Sequence, residues 1–93
     1  MNDVAVRLTI RGLVQGVGYR YFCYREALRR GLTGWVKNMP DGSVAAVAEG
    51  NRGMVNDLIE ELRRGPFGAR VTEIETDWQS YTGQHKSFEI QVR

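Results

Sequence analysis

The stretch VAVRLTIRGLVQGVGYRYFCYREALRR, Val4 to Arg30, changes character twice. From Val4 to Arg11 the pattern alternates. Val4, Val6, Leu8 and Ile10 fall on one face, with Arg7, Thr9 and Arg11 on the other. A period of two over eight residues predicts a half-buried strand. Gly12, Gly16 and Gly18 then break the pattern. From Arg20 to Arg30 the period becomes helical. At 100° per residue, Tyr21, Cys23, Tyr24, Ala27 and Leu28 share roughly 160° of arc, and Arg25, Glu26, Arg29 and Arg30 fill the opposite side. Gly31 suits the residue just past the helix end. The chain thus opens as strand, glycine loop and amphipathic helix.

The remaining segments extend that beginning. Thr33–Met39 and Ser43–Glu49 read as strands, and Pro40-Asp41-Gly42 between them is turn chemistry, so the pair forms a hairpin. Asn51 is a fitting N-cap for a second helix, whose buried stripe is Val55, Leu58, Ile59 and Leu62. Gly65-Pro66 stops it. Val71–Trp78 reads as a strand with an apolar phase slip near Thr72, which points to a bulge. Phe88, Ile90 and Val92 mark a short terminal strand. The expected fold is α+β: a ferredoxin-like βαββαβ sandwich with two helices on one face of an antiparallel sheet and an extra short C-terminal strand. Trp35 and Trp78 read as core or sheet-face aromatics.

The totals bound the function. With 93 residues, 42% hydrophobic and 26% charged, residues 1–93 are expected to form a single domain that buries roughly 60–65% of its unfolded surface. Thirteen basic residues against eleven acidic ones leave a net charge of +2. That favours small anions and falls short of a nucleic-acid footprint, for which Arg63, Arg64 and Arg70 are the densest candidates. One cysteine, Cys23, allows no internal disulfide, and no secretory or transmembrane run is evident. The expected setting is cytoplasmic, with no membrane partner. No long apolar stripe is left unassigned, so a monomer is expected. His85 is the only histidine, and no carboxylates stand near it at ligand spacing. It reads as an exposed polar residue at a strand start, and no metal or cofactor is expected.

Chemistry concentrates in the glycine loop. Gly16-Val17-Gly18 directly precedes a helix, and glycines there let successive backbone N–H groups point into one concavity. The helix start adds partial positive charge. Arg20 adds a guanidinium fork that matches phosphate. These features suit a small anion cradle, and they suit equally a tight strand-to-helix turn whose glycines only satisfy geometry. Rival motifs fail. A dinucleotide fingerprint lacks its third glycine, with Tyr21 in that place, and has Asn38 where an acid belongs. Cys23-x5-Arg29 has phosphatase spacing, but Tyr24-Arg25-Glu26-Ala27-Leu28 is helical and cannot wrap a phosphate. Gly31-Leu32-Thr33-Gly34 leads into a strand without the basic neighbours of an RNA clamp.

Gly12-Leu13-Val14-Gln15-Gly16-Val17-Gly18-Tyr19-Arg20 and Gly34-Trp35-Val36-Lys37-Asn38-Met39-Pro40-Asp41-Gly42-Ser43-Val44 together closely resemble the two signatures of the small acylphosphatases. Glu49-Gly50 and Phe88-Glu89-Ile90 also resemble that family, so the likeness spans essentially the whole chain. Arg30 is a departure, since relatives often carry leucine there; its stem is expected to pack against the sheet. The resemblance implies hydrolysis of the carboxyl–phosphate bond of acyl phosphates, giving a carboxylate and inorganic phosphate. It implies that Arg20 and the loop amides of Gln15, Gly16, Val17, Gly18 and Tyr19 bind the phosphoryl group, and that Asn38 positions the attacking water.

That reaction suits a chain with no paired carboxylates and no Ser-His pair. A carboxylate is already a good leaving group and needs no side-chain acid. A loose transition state asks mostly for positioning and charge stabilisation. Arg20 in the first helical turn opposes the dipole, a cost an anion relieves. Read without the family, Asn38 is a strand-end residue bonding the hairpin turn. The alternative function is a non-catalytic anion-binding or regulatory module on the same fold, and a weak nucleic-acid binder is third.

Overall fold

The computed structural model describes residues 2–92. Seven elements follow in chain order: β1 (Asp3–Leu13), α1 (Tyr19–Arg29), β2 (Thr33–Asn38), β3 (Val44–Asn51), α2 (Arg52–Arg64), β4 (Arg70–Gln79) and β5 (Phe88–Gln91). Both helices end where local chemistry dictates. Leu32 N–H donates to the Ala27 carbonyl at 3.0 Å and Gly31 N–H to that of Leu28 at 3.1 Å, closing α1 in a Schellman arrangement around Gly31 at φ 69°. Asn51 caps α2, its side-chain oxygen accepting from Met54 N–H at 3.1 Å.

The five strands form one sheet in the order β4-β1-β3-β2-β5. The first four pair antiparallel, the expected ferredoxin-like arrangement. β5, the expected extra strand, runs parallel to β2. The reason is topological. β4 and β5 lie on opposite edges, so residues 80–87 carry the chain across the sheet. Residues 80–87 are pinned midway. Glu49, at the end of β3 and 2% exposed, accepts from Thr82 Oγ1 at 2.7 Å, Gly83 N–H at 2.9 Å and Thr82 N–H at 3.3 Å. Burial alone would raise the Glu49 carboxyl. The bonds from Thr82 and Gly83 outweigh it, with His85 adding its charge, and the group titrates below its ordinary range.

β1 runs two residues beyond the expected Arg11, because β4 bulges to meet it. Arg11 pairs with Glu73 and Gly12 with Val71, leaving Thr72 as the extra residue where the phase slip placed it. Gly12 is required there. At φ 127° it occupies a region side chains rarely adopt, and a Cβ would run into the Arg70 carbonyl.

Both helices cover one face of the sheet, and the core between them includes Val6, Leu8, Ile10, Cys23, Ala27, Val36, Val44, Ala46, Leu58 and Leu62. On the opposite face Arg7 and Lys37 flank the Trp35 ring at 5.4 and 5.6 Å. Trp78, at the far edge, carries the guanidinium of Arg52 at 5.4 Å. Arg30 makes polar contacts where its stem was expected to pack on the sheet. Its guanidinium donates to Glu26 Oε1 at 2.7 Å and to the Glu26 carbonyl at 3.0 Å. Glu26 is nearly buried and also meets Arg29 at 3.2 Å, so the pair of arginines neutralises its charge at the carbonyl end of α1.

Candidate active site

β1, β2 and β5 all end on one side of the molecule, and α1 begins there. The turn from β1 into α1 is made by glycines in left-handed conformation, Gly16 at φ 79° and Gly18 at φ 78°. A Cβ would meet nothing within 4 Å at either position, so backbone conformation and not crowding selects glycine. Gly18 is the N-cap of α1, with no side-chain cap bond and no acidic residue in the first turn. The first helical bond runs from Phe22 N–H to the Gly18 carbonyl at 3.0 Å. The N–H groups of Tyr19, Arg20 and Tyr21 therefore precede the helical ladder, at the positive end of the dipole.

A cleft of about 230 Å³ opens at this point, lined by Val14, Gly16, Gly18, Tyr19, Arg20, Tyr21, Asn38, Ile90 and Val92. Of the residues expected to serve the site, it brings together Gly16, Gly18, Tyr19, Arg20 and Asn38. Arg20 is turned toward β5, where its Nη1 donates to the Gln91 carbonyl at 3.3 Å. Asn38 is the last residue of β2, paired with Val44. The hairpin turn is closed without it, by Met39 N–H to the Ser43 carbonyl at 2.9 Å and by Asp41 Oδ1 accepting from Ser43 N–H and Oγ at 3.0 and 2.6 Å. The turn bonds expected of Asn38 are thus made by its neighbours, and Asn38 lines the cleft.

Two expected residues lie outside the lining. Val17 is half-buried and packs against the core. The side chain of Gln15 points to the hairpin, Nε2 donating to the Met39 and Ser43 carbonyls at 2.8 Å each. That pair of bonds ties the glycine loop to the turn that follows Asn38. Tyr19 is likewise held from behind. Its ring is 1% exposed, and its hydroxyl donates to the Leu62 carbonyl of α2 at 2.8 Å. Burial, with Cys23 second, pushes the phenol above its ordinary range. The loop and the helix start are therefore anchored to the β2–β3 turn and to α2.

The rival chemistries find no support in the geometry. Cys23 is fully buried, and burial pushes its thiol up to about 12. Among the described residues no group of three or more His, Cys, Asp or Glu could hold a metal ion. Arg63 and Arg64 occupy the last turn of α2, where their charge complements the helix carbonyls. Tyr21, Ile90 and Val92 were not anticipated in the site. The alternation Phe88-Ile90-Val92 signals a strand, but nothing in it says which sheet edge the strand joins.

Fold and cleft together define a ferredoxin-like α+β protein whose cleft is built on a glycine-rich helix start. Comparison with known proteins makes this specific. The Acylphosphatase family model matches residues 6–90. An acylphosphatase of Rhizobium etli is 48% identical over 89 residues, spanning 96% of this chain and 95% of that protein. One of Acaryochloris marina is 46% identical over the same shares. The crystal structure of acylphosphatase from Bacillus subtilis superposes with a TM-score of 0.92 at 38% identity, covering 95% of this chain and 98% of that one. The chain belongs to the acylphosphatase family, and it is a hydrolase of the carboxyl–phosphate bond in acyl phosphates.

Proposed function

We propose that the phosphoryl group of the acyl phosphate is held by Arg20 and the amides of the loop from Gln15 to Tyr19, and that Asn38 positions the attacking water. The observation that carries this reading is the convergence of Gly16, Gly18, Tyr19, Arg20 and Asn38 on one cleft. N–H groups at an uncapped helix start are preorganised donors for phosphoryl oxygens. A guanidinium held by the Gln91 carbonyl adds a fixed charge as negative charge spreads over those oxygens. A carboxamide with its hairpin duties met elsewhere is free to orient a water in line with the bond that breaks. The water attacks phosphorus, the P–O bond to the acyl oxygen breaks, and its electron pair leaves with the carboxylate. The substrate's own phosphoryl oxygen accepts the water's proton, so the side chains need supply no base.

The same reading takes residues 1–93 as one acylphosphatase-like domain, working as a cytoplasmic monomer with no metal. Its support is the carboxylate leaving group, which needs no Lewis acid, and the single reduced, buried cysteine.

Two variants assayed with benzoyl phosphate test the assignment. Arg20→Lys is expected to fail to restore turnover, because a point charge does not reproduce the fork. Asn38→Ala is expected to lower kcat by about 10²-fold or more while inorganic phosphate still inhibits, as for loss of one preorganised donor. Near-normal turnover in Arg20→Lys, or joint loss of turnover and phosphate binding in Asn38→Ala, refutes the roles given. Activity is expected to persist in a chelator.

A further inference from the structure

Glu49 stands at the opposite end of the sheet from the cleft, paired with Ala5 of β1 and Thr33 of β2. A buried carboxylate is tolerated only where its oxygens are bonded. Here the bonds all go to Thr82 and Gly83, in the segment that carries the chain from β4 to β5. Beyond that pin the segment stands off the sheet. A hollow of about 440 Å³ borders Gln84, His85, Lys86 and Ser87, with Trp35 and Gln91 also lining it. Packing therefore does little to fix the path of residues 84–87, and the bonds at the two ends of the segment do. The next hold is at Gly34, whose N–H donates to the Ser87 carbonyl at 3.0 Å. β5 follows as an edge strand of four residues, with β2 as its one neighbour in the sheet. Its last residue supplies the Gln91 carbonyl, the one hydrogen-bond partner of the Arg20 side chain among the described residues. At 3.3 Å that bond is already long, so a small displacement of β5 breaks it.

We propose that Glu49 is a positioning residue for the hydrolysis: by pinning Thr82 and Gly83 it sets where β5 lies along β2, and so where the Gln91 carbonyl holds the Arg20 guanidinium. The inference rests on the assignment of Arg20 to the phosphoryl group. Phe88 is buried and keeps β5 on the sheet, but apolar burial is non-directional and does not fix a position along the strand. The ladder between β2 and β5 spans only four pairs. The Glu49 bonds add a fixed point upstream of it. A displacement of about 1 Å in a group that positions substrate costs up to about 10²-fold in rate. A guanidinium fork is sensitive to such an error, because two of its donors must meet phosphoryl oxygens together. Asn38 is insulated from it, since β2 pairs with β3 from Thr33 to Asn38 on the side away from β5. The loop amides are held separately, by Gln15 and Tyr19. Among the polar groups of the cleft, Glu49 therefore acts on the guanidinium.

The test follows inorganic phosphate affinity by titration calorimetry and benzoyl phosphate turnover, on variants shown to be folded by circular dichroism. Glu49→Gln is expected to weaken phosphate binding about fivefold, part of the worth of one charged hydrogen bond, and to lower kcat/KM about tenfold. Thr82→Val removes only the hydroxyl bond and is expected to move both by about threefold, whereas Thr82→Ser keeps the hydroxyl and is expected to move them by less than about twofold. Coupling then separates positioning from general loosening. In an Arg20→Lys background Glu49→Gln is expected to add less than about twofold to either loss, because no aimed fork remains. In an Asn38→Ala background it is expected to add its full effect. Should Glu49→Gln not fold, Thr82→Val takes its place in both backgrounds. Equal added losses in the two backgrounds overturn the proposal. So do phosphate affinity and turnover that stay at wild-type levels in the folded variant, or a Thr82→Ser enzyme as impaired as Thr82→Val. Failure of the phosphoryl assignment looks different: Arg20→Lys alone then binds phosphate and turns over as the wild type does.

Discussion

Cys23 shows how much one position carries without touching the reaction. It sits among Tyr19, Ala27 and the inward residues of the sheet, and its thiol stays protonated at any working pH. Cys23→Ser is expected to keep benzoyl phosphate turnover. It should cost about 1–3 kcal/mol of stability, because a hydroxyl is buried where a weak donor sat comfortably. Urea unfolding of the two proteins, fitted with a common slope, reads that difference, and loss of turnover in the folded variant would restore a catalytic thiol. Gly16, Gly18 and Arg20, which line the cleft, are legible in the sequence because their side-chain type is itself the signal. Asn38 was ambiguous from spacing alone; the two motifs together singled it out, and it lines the cleft. The Gln15 side chain was not legible. Its acceptors are the backbone carbonyls of Met39 and Ser43, 24 and 28 residues away, and a carbonyl has no signature in a sequence.

Among the elements, the loop before α1 and the β2–β3 hairpin act as a unit because Gln15 joins them. Each carbonyl it binds keeps another donor, Gly42 N–H for Met39 and Met39 N–H for Ser43. Removing the staple therefore loosens spacing more than it strands polar groups. Gln15→Ala is expected to lower kcat about tenfold, as the carboxamide and the loop lose their fixed separation, with a smaller change in phosphate inhibition. Equal loss in both would make Gln15 part of phosphate binding itself. At the other end of the loop, Gly12→Ala is expected to destabilise by about 2–3 kcal/mol, the cost of a strained backbone plus a clash at the bulge. Thermal unfolding measures it, and a midpoint within a degree of wild type would show that β4 yields freely. The bulge could be anticipated because the apolar phase of the sequence slips near Thr72. The edge chosen by β5 could not, since parallel pairing with β2 depends on the path of residues 80–87 and on Glu49, a charged residue whose partners are mostly backbone N–H groups.

Across the whole molecule, Glu49 makes stability depend on acid. Its carboxyl titrates lower in the folded protein than in the unfolded chain. The stabilisation is therefore complete above the ordinary glutamate range and fades as pH falls through the lowered folded value. Glu49→Gln is expected to be less stable than wild type at pH 7, with the gap narrowing as pH falls toward 3, near the bottom of the carboxylate range. Denaturant midpoints across that interval check it; a gap independent of pH would mean that shape and not charge holds residues 80–87. Composition and periodicity revealed two helices, five strands and their layering, since those follow from local period. Glu49 bonds to Thr82 and Gly83, the hand-over of the chain from one edge to the other, and the apolar half of the cleft are properties of the assembled molecule.

The bond from Arg20 to the Gln91 carbonyl joins groups 71 residues apart. The cleft thus joins the loop before α1 to β5, and closing so long a loop is entropically costly. The Arg20 guanidinium is expected to gain this partner only once β5 has docked on β2. Afterwards, any anion that settles in the pocket opposes unfolding of the entire molecule, because no smaller part of the chain can offer it the same grip.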